Sequence, residues 1–163
     1  MKLIRKSRPR LLIICKENKL RTDLITLLTG YGYFVDYVED RKDGLKKFQQ
    51  YKQLIVIIDI PALPNDPAEM FKEFLAYKKN PIILIAARYE DQERVKKYLE
   101  RKEVYDILEL PLNINTIEIT LRRLVGYSQL MARNEFLRIL VELIIFFIPL
   151  GILLIYLFFQ NQK

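Results

Sequence analysis

The sequence predicts an α/β domain built on a five-stranded parallel sheet wound by helices on both faces, plus one C-terminal transmembrane helix. Three observations lead there. Short apolar runs alternate with segments of helical apolar spacing through to about residue 125. Some of those runs are continuous rather than alternating, as expected for strands buried on both faces. The stretch from Leu143 to Phe159 carries no charge at all.

The elements follow in order. Leu11 to Cys15 is a continuous apolar run and reads as the first strand. Leu20, Leu24, Leu27 and Leu28 come next at helical spacing, ending at Gly30, a natural helix stop. Tyr33 to Val38 alternates and reads as the second strand. Leu45 and Phe48 mark a short helix. Leu54 to Ile58 is the strongest strand signal, and it ends at Asp59. After a proline-rich turn, Asp66-Pro67 has the form of an N-cap with proline at the first helical position. Met70, Phe71, Phe74 and Leu75 line that helix. Pro81 to Ala86 reads as the fourth strand, Val95, Tyr98 and Leu99 as a fourth helix, and Val104 to Leu108 as the fifth strand. Asn113 or Asn115 caps a last helix bearing Ile117, Leu121 and Leu124.

Strands alternating with helices predict a parallel sheet with right-handed crossovers. In such a sheet the site lies at the C-terminal strand ends, beside the topological switch point. That directs attention to Cys15-Lys16-Glu17, Asp59-Ile60-Pro61, Ala86-Ala87 and Leu110-Pro111.

The charge-free segment of about 17 residues spans roughly 25 Å as a helix. Adding Ile139, Leu140 and Val141 extends it to about 30 Å, the thickness of a bilayer core. Glu142 interrupts this extension, four residues after Arg138, so the two are placed to pair at the interface. Tyr156 fits the far interface. The alternative is a buried core helix, but a domain this small has no core to surround it on every side. Pro149 and Gly151 fall inside the span. Either a packed neighbouring helix or a lone kink accommodates the proline.

Arg122, Arg123, Arg133 and Arg138 precede the span, whereas Gln160, Asn161, Gln162 and Lys163 follow it. The positive-inside rule then puts the N-terminal domain in the cytoplasm, on a single-pass anchor in the cell (inner) membrane. The short tail implies insertion late in synthesis, as in tail-anchored proteins. The expected organisation is a basic tail over 1–9, the α/β domain over 10–125 and a juxtamembrane helix or linker over 126–138. The transmembrane helix follows over 139–159, and a short tail over 160–163.

Composition narrows the function. There is no histidine, which removes His-based acid/base catalysis, His ligands and the usual Ser-His and Cys-His pairs. A single cysteine, Cys15, allows neither an intrachain disulfide nor a thiolate zinc site. The five glycines, at 30, 32, 44, 126 and 151, form no phosphate loop. No enzyme activity, metal or cofactor is expected.

The formal charge is +7, with Lys2, Arg5, Lys6, Arg8 and Arg10 concentrated at the start. Such a tail attracts anionic lipid at about 1 kcal/mol per basic residue, contacts nucleic acid, or is simply solvated. The anchor favours lipid, and no aromatic residue is interleaved in the tail to stack bases. No nucleic-acid partner is expected. Basic residues followed by an apolar run ending at Cys15 look like a lipoprotein signal. The run is too short, however, and Ile14 stands where a small residue is needed. Lys46-Lys47, Lys78-Lys79 and Arg94 with Lys96-Lys97 read as solvated helix faces. Tyr127, Leu130, Met131 and Phe136 continue an apolar helical pattern that suits a partner surface. Gly126 either breaks that helix or lies within it.

From about Arg10 to Val125 this layout resembles a response-regulator receiver domain, the phosphoacceptor module of two-component signalling. The resemblance rests on LIVIID ending at Asp59, PIILIAA from Pro81 to Ala87, and the strand leading into Leu110-Pro111. It implies a flavodoxin-like sheet of order 2-1-3-4-5, with Asp59 at the phosphoacceptor position. It also implies a pair of Mg²⁺-binding acids after the first strand, where this chain has Cys15 and Lys16, with Glu17 following. Ala86 stands where a Thr or Ser is implied, and Leu110 where a Lys is implied. The proline after the aspartate comes one residue late, at Pro64.

Phosphoryl transfer to a carboxylate is mostly positioning and charge neutralisation, and Mg²⁺ requires oxygen ligands. The substitutions therefore imply a degenerate receiver. Two arrangements of Lys16 are open. Either its ammonium pairs with Asp59 in place of the metal, or Lys16 faces solvent and Asp59 caps a loop. Cys15 is either a structural strand-end residue or a thiol whose pKa Lys16 lowers. Glu17 is either a residual ligand or an ordinary acid at a helix N-terminus.

The expected function is a membrane-anchored pseudo-receiver without phosphotransfer. It would act as an interaction, regulatory or accessory module with other protein subunits, integral membrane proteins among them. The competing expectation is a genuine phosphoacceptor at Asp59 signalling at the membrane. A DNA-binding regulator is disfavoured, because the apolar segment takes the place of a helix-turn-helix module.

Overall fold

Strands and helices alternate along the chain in the computed structural model, which describes residues 9–51, 53–77, 81–100 and 103–160. In the last helix the side chains of residues 125, 127–129, 131–132, 135 and 150–160 fall outside the description. The order is β1 (Arg10–Ile14), α1 (Asn18–Gly30), β2 (Phe34–Val38), α2 (Arg41–Tyr51), β3 (Ile55–Asp59), α3 (Ala68–Tyr77), β4 (Ile82–Arg88), α4 (Gln92–Glu100), β5 (Asp106–Leu110) and α5 (Ile114–Gln160). Short 3-10 turns, Ile60–Ala62 and Tyr89–Asp91, follow β3 and β4. The predicted basic residues Lys2, Arg5, Lys6 and Arg8, the pair Lys78-Lys79, and the side chains of Tyr127, Met131 and Tyr156 lie outside the described residues.

The sheet is parallel throughout, in the order β2-β1-β3-β4-β5, as predicted. Ile14 lies opposite Val38 on one side and Ile58 on the other. Asp59 lies opposite Ala86, and Arg88 opposite Leu110. The C-terminal ends of β1, β3, β4 and β5 therefore line up along one rim.

Both faces of the sheet are covered, which is why the strands read as unbroken apolar runs. Leu12, Ile14, Val56, Ile58, Ile83 and Ile85 share one core with residues of α2, α3 and α4. Edge-to-face ring pairs, Phe48 on Phe74 at 4.8 Å and Phe71 on Tyr98 at 5.5 Å, fill that layer. The alternate residues Leu11, Ile13, Ile57 and Leu84 are equally buried and face the other side. There α1 contributes Leu20, Leu24 and Leu28, the residues whose spacing predicts that helix. The edge strand β2 leaves Phe34 and Tyr37 exposed. It is tied to β1 by an Arg10–Asp36 ion pair at 2.7 Å, and Asp36 also accepts from Gln53 Nε2 at 2.9 Å.

Two glycines are required by geometry. Gly32 takes a φ of 85° in the turn between α1 and β2, a left-handed conformation that favours glycine. Gly44 lets α2 approach β1, because a Cβ there would stand 2.5 Å from Ile14 Cδ1.

Several boundaries differ from expectation. β4 continues two residues past Ala86, since Ala87 and Arg88 still pair with β5. β5 starts at Asp106 rather than Val104, because the preceding residues finish α4. The N–H groups of Glu103 and Val104 donate to Tyr98 O at 3.0 and 3.3 Å. Asp66 Oδ1 accepts from Ala68 N–H at 3.2 Å, and α3 begins one residue after Pro67. Asn113 is the residue that caps α5, its Oδ1 accepting from Asn115 N–H at 3.0 Å.

The chain divides into two units, Met1–Glu118 and Ile119–Lys163, so the division falls inside α5. In the second unit the helix runs through both Gly126 and Pro149. Arg138 Nε meets Glu142 Oε1 at 3.0 Å, the pair its spacing predicts. Ile139, Leu140, Val141 and every residue from Leu143 to Ile148 are exposed, Phe146 at 70%. Among the described residues no helix is long and apolar enough to cross a membrane. The predicted span passes at Leu150 into residues whose side chains are outside the description.

Candidate functional site

Asp59 ends the most completely buried strand and is itself only 1% exposed. A carboxylate there needs hydrogen-bond donors to replace water. Backbone supplies them. Oδ2 accepts from Lys16 N–H at 2.8 Å and from Glu17 N–H at 3.2 Å, and Oδ1 accepts from Ala62 N–H at 2.9 Å. The first two donors come from the loop between β1 and α1, the third from the 3-10 turn that Asp59 caps. Of the two arrangements open for Lys16, this is the second. Lys16 is exposed, and among the described residues its ammonium makes no pair with Asp59.

Cys15 is fully buried. Its N–H donates to Val38 O at 3.0 Å, and its thiol to Glu17 O at 3.3 Å. Burial, and then the neighbouring Asp59 carboxylate, push the thiol from 9.0 up to about 12. Of the two alternatives for Cys15, the upward shift goes against a thiol lowered by Lys16: burial is its largest cause, and Asp59 adds to it against the smaller lowering effects of the Glu17 backbone and Arg21. Glu17 stands at the N-cap of α1 without capping through its side chain. Its Oε2 instead lies 3.6 Å from Arg88 Nη2, both side chains being well exposed.

Ala86 presents a methyl group directly opposite Asp59 in the sheet register. Leu110 is half-buried and precedes a cis peptide bond to Pro111. A cleft of about 110 Å³ brings together Glu17, Asp59, Ala86, Arg88, Asp91 and Leu110. Cys15 and Lys16 do not line it. A wider cleft of about 500 Å³ adjoins it and shares Glu17, Arg88 and Leu110. Arg88 and Asp91 are the charged lining residues that sequence reasoning missed. For Arg88 the signal was a cation closing the run PIILIAAR, two positions beyond the predicted strand end at Ala86.

No protein-family model matches the chain. Over 83 residues it is 30% identical to the transcriptional regulatory protein AfsQ1 of Streptomyces coelicolor, a match covering 51% of this chain and 37% of that protein. The match thus spans little more than a third of the curated relative. The receiver domain protein from Clostridium thermocellum superposes with a TM-score of 0.66 at 17% identity, over 76% of this chain and 98% of that one. The chemotaxis response regulator CheY4 of Vibrio cholerae superposes with a TM-score of 0.62 at 22% identity, over 72% and 99%. The chain has the receiver fold.

On that fold the rim can be tested for the metal that receivers imply. Both oxygens of Asp59 already face backbone N–H groups. Cys15 and Lys16 offer a buried thiol and an exposed ammonium rather than carboxylates, and the Glu17 carboxylate that follows faces Arg88 at 3.6 Å. Among the described residues no three His, Cys, Asp or Glu side chains converge to hold a metal ion. For a phosphoryl group the receiver rim has no hydroxyl at Ala86 and no ammonium at Leu110. The cation lining the cleft, Arg88, is turned toward Glu17.

Proposed function

We propose that the chain is a membrane-anchored pseudo-receiver that binds other protein subunits without phosphotransfer. The observation that carries this reading is the make-up of the rim around Asp59. The groups that would neutralise a transferred phosphoryl are replaced by the methyl of Ala86 and the apolar side chain of Leu110, and Asp59 is enclosed by backbone donors. Positioning and charge neutralisation are nearly all that such a transfer asks of a protein.

The anchor is supported by the apolar side chains exposed from Ile139 to Ile148 and by the charge-free sequence continuing to Phe159. A patch of that kind is covered by lipid or by another protein. With the arginines on its N-terminal side, the receiver unit faces the cytoplasm at the cell membrane. The partners are then the bilayer and neighbouring subunits, integral membrane proteins among them, with no nucleic acid and no cofactor.

Purification from native membranes in mild detergent, with identification of the co-purifying chains, tests this. A stoichiometric membrane-protein partner is the expected result. The isolated chain recovered alone, with no partner after gentle crosslinking, would contradict it.

A further inference from the structure

We propose that Asp59 is the permanent internal ligand of its own site, a pin that holds the β1–α1 loop and the β3–α3 turn in one arrangement. This rests on the pseudo-receiver reading and deepens it, because a pinned rim offers a constant surface rather than a switched one. Three backbone donors converge on one buried carboxylate, from segments more than forty residues apart in sequence. Charge-assisted bonds of this kind are about twice as strong as neutral ones. Two of the donors share Oδ2 and the third meets Oδ1, so each oxygen is tied to a different segment of the rim. No side-chain cation is needed, and the exposed Lys16 supplies none.

The pin reverses a sign. An aspartate in a cluster of acids is relieved by neutralisation, since like charges repel. Here Asn at position 59 keeps one acceptor but turns an NH₂ group toward backbone N–H groups, so neutralisation removes bonds and adds a clash of donors.

The test uses the full chain in detergent micelles. Amide exchange followed by NMR should show the Lys16, Glu17 and Ala62 N–H groups protected as well as the β3 amides. Asp59→Asn should lower Tm by roughly 10 °C, the loss of about two charge-assisted bonds. Millimolar Mg²⁺ should leave Tm unchanged, and Mn²⁺ should not broaden the three amide resonances. Fast exchange of these amides in the wild-type chain, an unchanged or raised Tm in Asp59→Asn, or Mn²⁺ broadening would each overturn the pin. The wild-type exchange and metal measurements stand even where Asp59→Asn fails to fold. The pseudo-receiver reading fails on a different result, a phosphoryl adduct on Asp59.

Discussion

The backbone N–H of Lys16 donates to Asp59 Oδ2 at 2.8 Å while the Lys16 side chain stays exposed. The residue that carries the cation therefore serves the site through a group every non-proline residue has. Where the contact is made by the backbone, the side chain is dispensable.

Lys16→Glu should accordingly change unfolding free energy by no more than about 0.5 kcal/mol, the usual range for a surface substitution. Urea denaturation of the full chain in detergent measures it. A loss of about 2 kcal/mol or more would restore the ammonium–carboxylate pair.

Cys15 predicts a pH dependence. Its pKa is raised from 9.0 to about 12 by burial and by Asp59. A raised folded-state pKa contributes stability that is fully present below the unfolded value and is lost as pH rises through the folded one. Stability should thus fall between pH 9 and about 12, with a slope approaching about 1.4 kcal/mol per pH unit. Tyr33, also raised by burial, adds to the same trend above its ordinary 10.0. Cys15→Ala should flatten the first part of this fall. In the native chain the thiol should react with iodoacetamide only on the timescale of unfolding; rapid labelling at neutral pH would contradict its burial.

Gly44→Ala places a methyl 2.5 Å from Ile14 Cδ1 and 2.9 Å from its Cγ1. Ile14 is fully buried, and with Cγ1 as well as Cδ1 inside 3.0 Å the whole side chain must shift within the packed core. The expected loss is about 1–3 kcal/mol. Adding Ile14→Val, which removes Cδ1, should recover part of it, a coupling read from a double-mutant cycle.

The apolar helix predicts a partitioning result. The full chain should stay with the membrane fraction after alkaline carbonate extraction, and a chain truncated before Ile139 should be released. Release of the full chain would remove the anchor from the account.

Most of the fold is legible in the residues, because burial on both faces leaves an unmistakable mark. β1, β3 and β4 are continuous apolar runs for that reason, and α1 announces itself through Leu20, Leu24 and Leu28. β5 is displaced by two residues from its predicted start. Val104 is apolar and buried, yet its N–H closes the end of α4. Apolarity alone does not separate a strand from a buried connection.

The site divides in the same way. That Asp59, Ala86 and Leu110 meet at one rim follows from strand order and strand ends. The three amides around Asp59 leave no trace in residue type, since Lys16, Glu17 and Ala62 act through N–H groups common to nearly all residues. Arg88 was hidden by the extent of β4. Once the strand is seen to continue past Ala86, its last residue falls beside Glu17.

The pseudo-receiver reading is tested most directly by incubating the full chain with acetyl phosphate and Mg²⁺ and measuring its intact mass, with Asp59→Asn as the control. The account predicts an unshifted mass for both chains. A shift of one phosphoryl group in the wild-type chain, absent from Asp59→Asn, would contradict it and make Asp59 a working acceptor.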